Sequence, residues 1–313
     1  MYWETYKFHI IFLEENWEDK IMKRLALLLA AMGIVSAAAF AEAPTLKVTS
    51  IGQEIEIENS DGNQDIDSIY YGTTVGLEYG DWSFGVTGAK FWAYDGDDGW
   101  DSTDSRLQID VWNKVTDNLK LGYRYRGQKE YDRHYVRWSF AKDWYYTDGD
   151  VWYHSAQNNA TDNIEMEVFP IGVKYGNLKV AYFLNYKENI GSLNSGDQED
   201  YIEHQLRVYH PVYTGEKFSL NFEGRFTIAA DNGYKGTEPG YRHYDDFGRV
   251  RLYLRPSYKV SESLTLWGYY GYEFKDFKYE NNDTRDNYTT SKGAGKGASD
   301  NYQDIGLGWT YTF

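Results

Sequence analysis

The chain contains no cysteine. That excludes disulfides, thiolate metal sites and a lipidated amino-terminal cysteine. Basic charge is also scarce, with 32 Lys and Arg against 48 Asp and Glu and a formal charge of −16. A nucleic-acid partner requires a basic footprint, so that function class is set aside. Beyond the first forty residues no apolar run is long enough to cross a bilayer as a helix. Any membrane crossing by the rest of the chain must therefore use strands. What is abundant is aromatic: 31 Tyr, 11 Trp and 15 Phe bring the aromatic share to 18%. The mean hydropathy is nevertheless polar. That pairing suits a sheet with one apolar and one wet face better than an enzyme with a buried core.

The first forty residues read as an address. Met22-Lys23-Arg24 is a basic n-region, Leu25 to Ala39 is apolar and small, and Ala39-Phe40-Ala41 is a small-x-small cleavage site. The expectation is a signal peptide over 22–41, cleaved after Ala41, with an exported chain from Glu42. Residues 1–21 are mixed, charged and aromatic and do not resemble part of a signal. They read as a non-native upstream extension, with Met22 the true start. Removing residues 1–41 leaves the exported chain strongly acidic.

From Leu46 onward the pattern has period two. Leu119, Leu121, Tyr123 and Tyr125 share one parity, while Lys120, Gly122, Arg124 and Arg126 share the other. Leu107, Ile109 and Val111 alternate with Arg106, Gln108 and Asp110. Val250, Leu252 and Leu254 alternate with Arg249, Arg251, Tyr253 and Arg255. A strand points successive side chains to opposite faces, so these are strands lying between an apolar and an aqueous phase. Short turns at Gly80-Asp81, Thr116-Asp117-Asn118, Gly176-Asn177, Thr214-Gly215-Glu216 and Ser261-Glu262-Ser263 alternate with longer polar stretches. The latter are 95–103, 157–163, 191–200, 230–245 and 281–300. Tight turns at one end and long loops at the other are the plan of outer-membrane barrels.

The reading is an all-β fold over 42–313, a transmembrane antiparallel up-and-down β-barrel. About fourteen strands are expected, within a range of about twelve to sixteen. Strands of about twelve residues, at about 3.3 Å each and tilted about 40°, rise roughly 30 Å, enough for the apolar band. Ile164, Met166 and Val168 share one parity, whereas Ile171, Val173 and Tyr175 share the other. The switch at Phe169-Pro170 predicts a bulge. The final segment alternates Ile305, Leu307, Trp309, Tyr311 and Phe313 with polar and small residues. It is expected to close the barrel against residues near Leu46.

Alternation ending in a terminal Phe resembles the assembly signal of outer-membrane barrels, which implies the barrel-assembly machinery as a partner. The closing GLGWTYTF segment, the signal and the aromatic alternation together resemble the fusobacterial major outer-membrane porins. The stretch LKLGYRYRGQKEYDRHYVRW is also similar to small porins for acidic oligosaccharides, from which the chain departs in its acidic balance. Both resemblances imply a barrel in the outer membrane, passive diffusion of small hydrophilic solutes, and no catalytic residues.

The candidate site is a set of basic side chains. By parity Arg106, Lys120, Arg124, Arg126, Arg133, Arg137, Arg207, Arg225, Arg249, Arg251 and Arg255 face away from the apolar band. A cation facing lipid costs about 2–4 kcal/mol at mid-membrane, which forces them inward in a barrel. One reading is a pore lining that attracts anionic groups, carried by Arg106, Arg124, Arg126, Arg133, Arg137, Arg207, Arg249, Arg251 and Arg255. The other is pairing with acids such as Asp110, Glu203 and Glu223 that stiffens the wall. Acids gather separately at Glu54, Glu56, Glu58, Glu78, Glu165 and Glu167. On a circle of fourteen, the fifth and twelfth strands stand opposite, so two basic walls would face each other across a constriction.

Other constellations read more plainly. The acidic run over 95–101 lacks the Glu twelve positions after its first Asp that a calcium loop needs, so no metal is expected. His154 and Ser155 are adjacent in a strand and point to opposite faces, and the other histidines have no ligand spacing, so no catalytic residue is assigned. Trp82, Trp92, Trp138, Trp144, Trp267 and Trp309 mostly read as interfacial girdles, with aromatic platforms that stack sugars in the lumen as the rival reading. The expected partners are outer-membrane lipids and small polar solutes, and no cofactor is needed. The function expected is an outer-membrane porin. The alternatives are a plugged barrel that binds through loops such as 281–300, and a soluble periplasmic sugar-binding sandwich.

Overall fold

A computed structural model describes residues 44–59, 66–95, 99–157, 161–194, 197–234, 242–275, 278–279 and 302–313. The expected upstream segment 1–21 and signal peptide 22–41 lie outside them, as do most of the long loops. The strands are β1 (Lys47–Asn59), β2 (Ile66–Tyr79), β3 (Trp82–Asp95), β4 (Gly99–Lys114), β5 (Leu119–Gly127), β6 (Tyr131–Lys142) and β7 (Tyr145–Ala156). They continue with β8 (Asp162–Tyr175), β9 (Leu178–Ile190), β10 (Gln198–Thr214), β11 (Phe218–Tyr234), β12 (Arg242–Lys259) and β13 (Leu264–Lys275). Last come the two-residue β14 (Lys278–Tyr279), which pairs with the start of β12, and β15 (Tyr302–Thr312).

Every pairing is antiparallel and, with the short β14 set aside, joins strands consecutive in the chain, except where β15 meets β1 and closes the ring. Setting aside the short β14, fourteen strands form a closed barrel. The seam runs from Ser50 opposite Thr312 to Asn59 opposite Gln303. The Phe313 amide donates to the Thr49 carbonyl at 3.0 Å, so the terminal residue is tied into the closing pair. Among the described residues closure leaves no edge strand with unpaired backbone groups, which a bilayer does not tolerate.

The tight turns follow from their residues. Gly80, Asp143 and Gly176 adopt positive φ, as the first residues of two-residue hairpin loops require. The Thr116 hydroxyl accepts from the amides of Asn118 and Leu119 at 3.2 and 3.0 Å, and Ser261 does the same for Ser263 and Leu264. In the first of these turns the Lys114 ammonium lies 2.7 Å from Asp117 and holds that carboxyl below its ordinary range.

The predicted bulge is present. Val168 pairs with Leu184 and Ile171 with Tyr182, so β8 carries one residue more than β9 between them. The Tyr145 hydroxyl donates to the Pro170 carbonyl at 3.1 Å. Ile164 before the bulge and Ile171 after it are both exposed, so the extra residue keeps apolar side chains outward on both sides.

Outward positions on most strands carry exposed apolar side chains, among them Val136, Ile171, Leu254, Leu266 and Leu307. In water such a belt would be an aggregation surface; against acyl chains it is the matching one. Strands approach only their neighbours around the ring, so no second layer packs behind the sheet among the described residues. This overturns the sandwich alternative, in which two sheets bury their apolar faces against each other.

Candidate functional site: the inner wall

The inner wall is set by cross-strand register. Residues directly opposite share a face, so each inward position on β4 fixes inward positions around the ring. Arg126 stands opposite Gln108 and Arg133, and Arg124 opposite Asp110 and Tyr135. On the other side Arg207, Arg225 and Arg251 stand in direct succession across β10, β11 and β12, with Glu273 next on β13. The predicted arginines therefore fall into two groups, one on β4–β6 and one on β10–β12. β5 and β12 are seven places apart around the ring, as the parity argument requires.

Within each group the guanidinium groups differ in partner. In the first, Asp110 receives Arg124 and Arg137, each at 2.6 Å, and Asp150 receives Arg137 at 2.7 Å. Arg106, Arg126 and Arg133 instead donate to neutral acceptors: Gln128 at 2.9 Å, Gln108 at 2.9 Å and His154 Nδ1 at 2.8 Å. In the second, Glu273 receives Arg249 at 3.0 Å and Arg251 at 2.5 Å, and Glu203 receives Arg249 at 3.2 Å. Glu223 receives Arg225 at 2.6 Å and Arg255 at 2.9 Å. Arg207 donates to the Gln205 side-chain carbonyl at 2.8 Å. No carboxylate lies within ion-pairing distance of Arg106, Arg126, Arg133 or Arg207 among the described residues. Six arginines (Arg124, Arg137, Arg225, Arg249, Arg251 and Arg255) are thus bridged to acids in the wall, and the other four donate to neutral acceptors.

Aromatic rings hold the guanidinium planes. Arg207 lies 3.4 Å from the Phe183 centroid, Arg251 4.0 Å from Tyr302, Arg133 4.5 Å from Tyr131, Arg137 4.6 Å from Trp112 and Arg106 4.7 Å from Phe91. Arg255 sits between Tyr253 and Tyr269, at 4.6 and 5.0 Å. A guanidinium packed over a ring face loses mobility while its N–H donors stay free to reach acceptors beside the ring. The sequence reading favours interfacial girdles over aromatic platforms in the lumen, whereas these rings lie on the inner face. The available signal was an aromatic on the polar parity, as at Tyr135, Trp152, Phe183 and Tyr253. Trp267 is the corresponding correction. It stands opposite Gly308, whose partner on β1 is Glu54, so it belongs to the inner face. Its indole donates to Thr310 at 3.3 Å.

Glycine makes the first group geometrically feasible. Gly122 stands opposite both Trp112 and Arg137. A Cβ there would lie 2.6 Å from the Trp112 ring. Without it the indole lies flat over β5, and Arg137 reaches across that strand to Asp110.

Among the described residues, the acids predicted on β1 have no arginine within ion-pairing distance. Glu56 accepts from the Tyr269 hydroxyl, and Glu58 accepts from Tyr302 at 2.8 Å. Asp304, opposite Glu58, accepts from Tyr253 at 3.0 Å. The seam is therefore an acid and tyrosine wall between the two arginine groups. Glu165 and Glu167, both approached by the Asn185 amide at 3.5 and 3.4 Å, form the acidic interval on the other side. His154 accepts from Arg133 and packs at a tilt against Tyr131, with centroids 4.7 Å apart. The acidic run at 95–101 falls partly outside the described residues.

Comparison with known proteins gives the fold. No family model matches the chain, and no curated protein matches it in sequence. A bacterial polysaccharide outer-membrane secretin superposes with a TM-score of 0.50 at 7% identity, over 85% of this chain and 98% of its own. The chain has the fold of an outer-membrane β-barrel. Looser superpositions include an anion-selective porin from Comamonas acidovorans (TM-score 0.44, 12% identity, 86% of this chain and 100% of that one). OmpT of Vibrio cholerae also superposes in its in-vitro folded form (0.43, 13%, 87% and 100%).

Proposed function

We propose that the chain is an outer-membrane porin, exported by the signal at 22–41, that passes small hydrophilic solutes and ions through an arginine-lined lumen. One observation carries this reading: a closed ring whose outer face is apolar and whose inner face bears charges and hydroxyls, with strands meeting only their neighbours. A wall charged on the inside and unfilled by a second layer among the described residues is a channel for water and what dissolves in it. The resemblance to fusobacterial porins points the same way, and the closing strand β15 fits recognition by the barrel-assembly machinery.

The four arginines without acid partners sharpen the selectivity. Arg106, Arg126 and Arg133 follow one another across β4, β5 and β6, so their field adds on one side of the lumen, and Arg207 adds to the other. The test is purified full-length protein in planar bilayers under a salt gradient. Stable conductance steps are expected, with a reversal potential that shifts toward cations when Arg106, Arg126 and Arg133 become Gln, by about twofold in permeability ratio. A silent bilayer would sink the channel reading. An unmoved reversal potential would remove the arginines from it.

A further inference from the structure

A recess of about 620 Å³ opens in the inner wall near the tight-turn end, between β7 and β12. That volume lies within the range of about 300–1,000 Å³ typical of small-molecule sites. Its lining combines rings of Tyr146, Phe169 and Tyr209 with Asp148, Lys179 and the Glu223–Arg255 pair. The charges divide sharply by partner. Glu223 and Arg255 satisfy each other at 2.9 Å. Asp148 and Lys179 have neither an ion pair nor a side-chain hydrogen bond among the described residues. Lys174, opposite Lys179 in register, is outside the lining, and its ammonium rests 5.4 Å from the Tyr146 centroid.

The recess therefore offers one unspent anion, one unspent cation and an aromatic surface. A purely anionic ligand would meet Asp148 as a repulsion, and a purely cationic one would meet Lys179. A neutral sugar would use the rings and leave both charges unanswered. A molecule carrying an ammonium and a carboxylate on one short frame, with an apolar or aromatic side group, answers all three. We propose that this recess is a subsite for zwitterions of that kind, free amino acids or short peptides with a flat apolar side chain. Their ammonium faces Asp148, their carboxylate faces Lys179, and their side group packs on Tyr209 and Phe169. The proposal deepens the porin reading and rests on it, since a transport role requires an open lumen. It makes the pore a facilitated path for these solutes, with a weak site that raises their local concentration without holding them.

The test separates binding from conduction. Full-length protein in detergent micelles is titrated calorimetrically with L-phenylalanine, with its amide, which lacks the anion, and with 3-phenylpropionate, which lacks the cation. The same protein is assayed for conductance. Saturable binding of phenylalanine is expected, about tenfold tighter than either analogue, with Lys179→Gln and Asp148→Asn each abolishing that preference over one analogue. Equal response to all three ligands, or a preference untouched by both variants, overturns the subsite and leaves the porin standing. Binding as expected by a protein that never conducts upholds the site and overturns the channel.

Discussion

At the residue scale, a charged side chain in this wall is defined by what it touches. Glu273 is almost fully buried and receives both Arg249 and Arg251. Glu273→Gln keeps the shape and removes the charge that two guanidinium groups share. In a dry interior, leaving a buried ion uncompensated costs about 3–5 kcal/mol; beside a wet lumen we expect about 2 kcal/mol, read from urea unfolding of the reconstituted barrel. Gly122→Val tests packing instead. Its Cβ would collide with the Trp112 ring and push it away from Arg137, costing about 1–3 kcal/mol in the same measurement. At the turn, the Asp117 carboxyl is held low by Lys114. A depressed carboxylate contributes stability above its unfolded pKa and loses it as pH falls through the folded one. NMR titration should therefore place the Asp117 midpoint below that of an unpaired Asp, and Lys114→Gln should return it to the ordinary value.

At the scale of the element, register governs. A strand with one lipid face has no tolerance for slipping by one residue, because every side chain would change phase. The bulge at Phe169-Pro170 is the place where this protein adds such a slip and so corrects a parity change in its own sequence. Deleting Pro170 should turn the apolar Ile171, Val173 and Tyr175 into the wet lumen and Lys174 outward at the interface, where a cation costs only about 0–1 kcal/mol, so the loss comes mainly from the apolar set. The expected outcome is loss of the compact, heat-modifiable barrel band in gel electrophoresis. A deletion variant that still folds and conducts would show the bulge to be dispensable. The bulge was legible beforehand because parity is local, read from six residues on one strand. Trp267 was misassigned because its face was inferred from residue type, and type does not outweigh register.

At the scale of the whole molecule, the ring arranges charge in alternating sectors: acids and tyrosines at the β15–β1 seam, arginines on β4–β6, acids on β8, arginines on β10–β12. Chain order alone puts these sectors at their angles, because each strand neighbours the next. If the sectors act on permeating ions, neutralising the acid-free arginines should change selectivity more than neutralising Arg124 or Arg249, whose charge is answered at 2.6 and 3.0 Å. Reversal potentials of the two sets of variants, measured side by side, decide this.

The amino-acid order by itself determined the class of fold, a strand number of about fourteen, the places of the tight turns, the bulge and the shared parity of the arginines. These are consequences of a two-residue period and of turn residues, and both act over a handful of neighbouring positions. Only the tertiary structure decided which acid answers which arginine, which arginines lack an acid within ion-pairing distance, and that aromatic rings on the inner face pack against the guanidinium groups. Arg249 meets Glu203 from two strands away, and Glu56 meets Tyr269 across more than two hundred residues of chain. Such meetings depend on the registers of all the intervening hairpins and on the closure of β15 against β1. No single segment of sequence contains that sum.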